Sequence, residues 1–366
     1  MSSATPSVLL DMRPLQGPSA KRGVGSYAMG LLTGLVAEGF DPHLTLLLDS
    51  RHPAPKLPPV QFKVARTVRR YSGNLAPYED AVALRGDLER LRPDLYHAID
   101  LRLPGSAPCP LVVTLHDLIP WALRSGGSRM WGERMRYWVG RRLLRRADLV
   151  LAVSKSTASD AVRLAGIDER RIKVVPEAAD ERFKPAPGAA ARVKERFGID
   201  AGYLLFVGAL DARKDPAALL RAWSVAKAEK ADLKLVVVGE PGKQAPKQMA
   251  DARVLGHLAD SELVDVYSAA GCLVFPSRYE GFGLPCLEAL ACGCPVAAYS
   301  NSSLPEVVDG AGELVDDGDA DALGRAAARL ASLPQRPWQP GIDRARKFSW
   351  RKTARATISA YESLLR

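Results

Sequence analysis

A pattern that runs twice is what most constrains the fold of this chain. Short β-branched or leucine-rich runs alternate with segments of helical periodicity, the signature of a parallel sheet with crossover helices. In the first half, strands are expected near Val8–Asp11, Leu44–Leu48, Asp94–His97, Leu111–His116, Leu149–Val153 and Ile172–Val175. Helices fit near Val24–Glu38, Tyr78–Leu91, Arg129–Arg146 and Ser156–Ala165. The stretch from Pro176 to Ala191 then carries Pro176, Pro185, Pro187 and Gly188, the composition of an interdomain linker. After it the pattern restarts. Strands fit Tyr203–Gly208, Leu233–Gly239, Arg253–Leu255, Cys272–Pro276 and Pro295–Tyr299, with a short one near Glu313–Val315. Helices fit Pro216–Ala228, Ser261–Ala270, Pro285–Ala291, Asp321–Ser332 and, last, Lys352–Leu365. The fold class is therefore α/β, with two doubly wound, Rossmann-like parallel-sheet domains facing a cleft. A length of 366 residues agrees with two domains rather than one.

Composition narrows the setting. The chain is 47% hydrophobic and 25% charged, as soluble globular proteins are. No basic segment followed by an apolar run opens it, and its longest apolar runs, such as Leu233–Val238, are strand-sized. Five cysteines without a zinc-like spacing read as small apolar residues in a reducing cytoplasm. A net charge of +10 calls for an anionic partner but does not say which.

Four segments place polar residues where a strand ends or a helix begins. In the first, Arg278 to Glu288, an apolar strand feeds the loop Glu280-Gly281-Phe282-Gly283-Leu284, and Pro285 suits the first helical position. The glycines let a ligand approach the backbone, and free amides at a helix start attract a diphosphate. Two carboxylates, Glu280 in the loop and Glu288 in the first helical turn, would repel a bare phosphate. They suit hydroxyls, one on a sugar and one on a ribose. A plain glycine turn capped by an acid is the competing reading. In the second segment, Asp215 fits an N-cap before Pro216, so Arg213 and Lys214 lie at a strand's carboxyl end. Two fixed cations there can balance a leaving diphosphate; a solvated basic loop is the alternative. The third places His116 and Asp117 at the end of Leu111–Leu115, either structurally or against a sugar. The fourth, Gly23 to Ala28, has the glycine spacing of a dinucleotide loop, but its strand ends a dozen residues earlier.

A fifth segment, Trp121 to Arg146, holds eight arginines, three tryptophans and one acid, Glu133. It reads either as an interfacial helix drawn to anionic lipid or as a helix packed on its own sheet with a basic outer face.

Together these motifs resemble the retaining glycosyltransferases of family 4, which have the GT-B fold. The match runs over nearly the whole chain: Glu280-x7-Glu288 with Gly281 to Pro285, the Arg213-Lys214 segment, Val153 to Ser156, Leu304 to Val308, and the Gly23/Gly25 loop. The resemblance implies an acceptor-side domain over residues 1–180, a nucleotide-sugar domain over 181–349, and a helix over 350–366 that crosses back to the first domain. It gives the ribose to Glu288, the sugar or the developing charge to Glu280, and the diphosphate to Arg213 and Lys214. Amides of Phe282, Gly283 and Leu284 would contact phosphate and sugar. His116 would line the sugar pocket, Gly25 would approach the phosphate, and the base would lie near Leu255, Gly256 and His257. Some members carry an arginine where this chain has Ala209, so here neutralisation rests more on Arg213 and Lys214. No metal and no other cofactor is expected.

The run His116 to Pro120 is similar to that of bacterial enzymes of surface-polysaccharide assembly, often mannosyl- or rhamnosyltransferases. The expectation is thus transfer of mannose from GDP-mannose to a lipid-linked glycan, by a cytoplasmic protein peripheral on the inner face of the membrane through Trp121–Arg146. The alternatives are a UDP-sugar-dependent transferase with a small-molecule acceptor and, in another class, an NAD(P)-dependent dehydrogenase with Asp49 as its ribose acid. Nucleic acid is not expected as a partner, because the arginines cluster on one helix rather than interleave with stacking aromatics.

Overall fold

The computed structural model describes residues 6–17, 20, 23–69, 75–122, 131–239, 251–334 and 336–366, with the backbone alone at 76, 77, 120 and 131–137. Its contacts divide the chain into two compact units, Met1–Glu177 with Trp350–Arg366, and Ala178–Ser349.

The first unit is built on seven strands: β1 (Val8–Asp11), β2 (Leu44–Asp49), β3 (Lys63–Thr67), β4 (Leu95–Ala98), β5 (Leu111–Leu115), β6 (Leu149–Ala152) and β7 (Ile172–Val174). All pair in parallel, in the order β3-β2-β1-β4-β5-β6-β7. The central strands are buried along their whole length because helices cover both faces of the sheet. The edge strand β3, Lys-Val-Ala-Arg-Thr, is half exposed and lacks the apolar run that marks the others.

The final helix, Trp350–Leu364, lies against the helix Gly23–Ala37 of this unit. Gly30 and Gly34 allow the approach, since a Cβ at either would overlap Trp350. Glu38 ties the pair from outside, accepting from Arg351 at 2.8 Å and Arg355 at 2.6 Å.

The second unit carries β8 (Leu204–Val207), β9 (Leu235–Val238), β10 (Arg253–Gly256), β11 (Cys272–Phe275), β12 (Val296–Tyr299) and β13 (Glu313–Val315). These are again all parallel, in the order β10-β9-β8-β11-β12-β13. Its core packs the helices Pro216–Glu229 and Ala320–Ala331 on the sheet around Phe206, Leu219, Trp223 and Leu323. In both units the strand order reverses at a switch point, between β1 and β4 and between β8 and β11. Loops leaving the carboxyl ends of such a strand pair diverge and leave a crevice where ligands bind.

The expected linker is partly helical, for Ala189–Phe197 forms a helix stopped by Gly198 at φ +69°. Among the described residues, no helix is long and apolar enough to cross a membrane.

Candidate active site

The β8/β11 switch point holds a dense polar cluster. Beyond β8, Gly208 takes φ +141° and the chain turns into a short 3-10 segment, Ala212–Lys214. Asp211 caps that segment by accepting from the amides of Arg213 and Lys214, which fixes the direction of both side chains. Asp215, at φ +46°, caps the next helix through the amide of Ala218 at 3.1 Å.

Beyond β11, the loop places Glu280 against those cations. Its Oε1 accepts from Arg213 Nη1 at 2.5 Å, Lys214 Nζ at 2.6 Å and Ser277 Oγ at 2.5 Å. Burial pushes the Glu280 carboxyl up, but Lys214 and Arg213 outweigh it and hold the group below the usual carboxylate range. Lys214 is itself buried, which lowers its pKa against the pull of Glu280, and its Nζ sits 4.0 Å from the centre of the Phe275 ring. Among the described residues the other oxygen, Glu280 Oε2, accepts no hydrogen bond.

A third loop, after β12, braces this one. Ser302, held at φ +45°, accepts the Glu280 amide at 2.9 Å. Ser303 Oγ donates to the carbonyls of Glu280 and Phe282 at 3.0 and 2.7 Å. The amides of Phe282, Gly283 and Leu284 have no acceptor among the described residues, and they stand at the start of the helix Leu284–Ala291. Gly283 caps that helix at φ +102°, a conformation that penalises a side chain.

Two details differ from the sequence reading. Leu284, not Pro285, is the first helical residue, and Glu288 therefore falls in the second turn. That removes the dipole-capping account of Glu288, which acts only on the first turn. Glu288 Oε2 accepts from Tyr267 OH at 3.0 Å, and Oε1 accepts from no described residue. Burial, with Asp260 and Asp180 adding to it against the Tyr267 bond, pushes the Glu288 pKa up to about 8. Each acid of the pair thus has one oxygen tied to the protein and one open.

Leu255, Gly256 and His257 lie apart from this cluster, at the end of the edge strand β10. Register slips between Val254 and Gly256, so Leu255 is bulged out. Gly256 is at φ +67°, and its carbonyl accepts the Gly239 amide at 2.8 Å. Gly239 has room for no Cβ, because one would strike the Gly208 carbonyl. The ends of β8, β9 and β10 thereby form a ledge of bare backbone.

His116 and Gly25 belong to the first unit. His116 Nε2 donates to the Ile99 carbonyl at 3.0 Å, and Nδ1 faces Glu177 Oε1 at 3.1 Å. Burial would lower the His116 pKa, but Glu177 more than offsets that and raises it. Gly25 is buried in the first turn of its helix, where a Cβ would overlap the backbone of Ala20.

The dehydrogenase reading fails on geometry. A 3-10 turn, Arg13–Gln16, separates β1 from the glycine segment, and Asp49 is spent on Arg51 at 2.8 Å. Of the basic segment, residues 123–130 and the side chains of Trp131, Arg134 and Met135 lie outside the described residues. Trp121 packs on the core, Trp138 is half-exposed, and Arg145 donates to the Ala165 carbonyl at 2.6 Å. Arg146 donates to the Gly105 carbonyl, so two of the arginines serve their own unit.

Ser277, Ser302, Ser303, Tyr267 and Glu177 were not singled out by sequence. The hydroxyl pair Ser302-Ser303 follows an apolar strand and could have been found from that; a tyrosine inside a helix and an acid in a proline-bounded stretch carry no such signal.

Two doubly wound units, one with an acid pair, two cations and free amides at its switch point, define a GT-B glycosyltransferase. The description Glycosyl transferases group 1 matches residues 190–347, and Glycosyltransferase Family 4 matches residues 21–183. The O-antigen chain mannosyltransferase B of Escherichia coli is 32% identical, over 79% of this chain and 78% of that one. The D-inositol 3-phosphate glycosyltransferase of Kineococcus radiotolerans is 33% identical, over 69% and 66% of the two chains. The sucrose-phosphate synthase of Thermosynechococcus elongatus has the same fold, with a TM-score of 0.78 at 22% identity over 98% of this chain and 99% of that one. The chain belongs to glycosyltransferase family 4 and is a glycosyltransferase.

Proposed function

We propose that the chain transfers mannose from GDP-mannose to a hydroxyl of a lipid-linked glycan, with the anomeric configuration retained, during assembly of a surface polysaccharide. The observation that carries the donor half is the pair of acids, each with one open oxygen, beside Arg213, Lys214 and three free amides. Glu288 Oε1 accepts from the ribose, and Glu280 Oε2 accepts from a hydroxyl of the sugar. The amides of Phe282, Gly283 and Leu284 meet the phosphates, and the backbone ledge near Leu255, Gly256 and His257 meets the base.

In the reaction the bond from the anomeric carbon to the diphosphate oxygen breaks, and a bond to the acceptor oxygen forms on the same face. The acceptor's proton passes to the departing phosphate oxygen. Arg213 and Lys214 balance the charge that develops there, with no metal required. The likeness to an O-antigen chain mannosyltransferase supports mannose and a glycan acceptor. The likeness to a D-inositol 3-phosphate glycosyltransferase favours a second reading, a small phosphorylated acceptor.

Purified protein incubated with GDP-mannose or UDP-glucose and either acceptor class decides between them. The proposal expects transfer from GDP-mannose to the glycan, an α-linked product by NMR, and full activity in excess chelator. An inverted product would overturn retention, and transfer only to a small phosphorylated acceptor would establish the second reading. Half-exposed Trp138 and exposed Arg142 lie on one helix and support contact with the anionic inner face of the cell membrane. Sedimentation with anionic vesicles but not neutral ones is the expected result; equal sedimentation with both would contradict it.

A further inference from the structure

Glu177 is the last residue of the first unit and is 4% exposed. A buried carboxylate needs a partner, and the hydrogen bond it receives comes from the His116 ring. The other ring nitrogen settles the proton count. Nε2 faces the carbonyl of Ile99, which only accepts, so Nε2 carries a proton. Nδ1 then faces a carboxylate and bonds it by carrying a second proton. The ring is a cation fixed at two points, and neither nitrogen has a lone pair with which to take a proton from an acceptor.

The surroundings hold that state. The Tyr27 ring meets His116 edge-on at 4.8 Å between centroids. Tyr27 OH is bonded to Thr114 Oγ1, which also meets His97 Nε2 at 2.9 Å. His97 closes the chain through Tyr361 OH at 2.6 Å on the final helix. His97 is buried, which pushes its pKa down to about 3, so it adds no competing charge. Asp117 is the other acid whose charge favours a protonated His116. Thr157 Oγ1 donates to the His116 carbonyl at 3.2 Å and so pins the backbone.

We infer that Glu177 is a positioning residue for sugar transfer: it fixes the His116 ring through Nδ1 and keeps it cationic, so that His116 serves as a fixed positive charge and never as a general base. This rests on the transfer proposed above and on the role in the sugar pocket that the family resemblance implies for His116. A fixed positive charge acts through space on the negative charge that grows on the departing phosphate, and a base is not needed when that phosphate takes the proton.

The test uses Glu177→Gln, which keeps the shape and removes the charge. Histidine NMR titration follows five rings, with His116→Asn identifying the signal in question. In the wild-type protein the His116 signal stays in its protonated position through neutral pH. In Glu177→Gln its midpoint falls by roughly one unit or more. The alkaline limb of the kcat profile moves down by the same amount, the donor KM changes little, and Glu177→Asp restores part of the shift. Retained nucleotide binding shows that the variant is folded. An unmoved midpoint would overturn the inference, and so would a moved midpoint with an unchanged kcat profile. The titration needs no substrate, so it decides the pairing even if the proposed transfer itself fails.

Discussion

The two units place charged groups at the same topological position and use them in opposite ways. At the β1/β4 switch point both oxygens of Asp11 and both oxygens of Asp80 are occupied. Asp11 receives Arg13 on both oxygens and Tyr96 OH at 2.8 Å. Asp80 receives Arg13 at 2.5 Å, Arg69 at 2.7 Å and Arg102 at 2.7 Å. Arg13 and Asp80 are essentially without solvent contact. At the β8/β11 switch point Glu280 and Glu288 keep one oxygen each in reserve. A saturated buried network specifies and holds a structure; a half-saturated one is poised for a ligand. The difference teaches that position in a doubly wound fold nominates a site, while unmet hydrogen-bonding capacity marks it as one.

The largest expected effect breaks the saturated side. Asp80→Asn leaves three guanidinium groups without their common counter-charge and should cost about 3–5 kcal/mol of stability. For a unit of this size that is a fall of on the order of 10 °C in the thermal midpoint. Nucleotide affinity measured below the transition should be nearly unchanged, since the network touches no nucleotide contact proposed above. A midpoint within about 1 °C of wild type would show the network is not structural.

The open side answers in turnover instead. Glu280→Gln keeps a neutral oxygen for Ser277 but removes the charge facing the sugar. Turnover should fall about 10²–10³-fold, the scale of losing one pre-organised polar group, with the protein still folded. Equal losses of stability in the Asp80 and Glu280 variants would erase the contrast between the two sites.

A pH titration sharpens the role of Glu288. Its pKa stands at about 8 without ligand, so below that pH the acid is mostly protonated. Two ribose hydroxyls need the ionised form as acceptor, so nucleotide affinity should rise from pH 7 and level off above pH about 8. Glu288→Gln should flatten this dependence and weaken binding about tenfold at the plateau. A wild-type profile as flat as the variant's would remove Glu288 from the ribose.

The smallest effect serves as the control. Arg182 pairs with Asp180 at 2.8 Å in a half-exposed setting, and such pairs are worth less than about 1 kcal/mol. Arg182→Ala should shift the thermal midpoint by no more than about 3 °C. A larger shift would mean that surface pairs, and not the buried cluster at Asp80, carry the electrostatic stability.

The same contrast explains what could be read in the sequence. Central strands such as Leu149–Ala152 and Leu235–Val238 were legible because burial on both faces forces unbroken apolar runs. The edge strand β3 was not, since one exposed face and Lys63 and Arg66 erase the pattern. The helix Ala189–Phe197 was hidden by the prolines before it, which read as linker. Glu280, Arg213 and Lys214 were legible as residues at strand ends, and the structure brings them into contact. Their mutual pairing was not, because it depends on the strand order that sets β8 beside β11. The supports of the site, Ser302 at positive φ and Tyr267 from a neighbouring helix, arise from tertiary contact and leave no local mark.

The central claim is that the two acids divide the donor, Glu288 holding the nucleotide and Glu280 the sugar. Calorimetric titration of wild type, Glu280→Gln and Glu288→Gln with GDP and with GDP-mannose tests it directly. The account predicts that Glu288→Gln weakens both ligands alike, while Glu280→Gln leaves GDP affinity unchanged and removes the extra affinity of GDP-mannose. Loss of GDP affinity in Glu280→Gln, with Glu288→Gln binding GDP as wild type does, would contradict it.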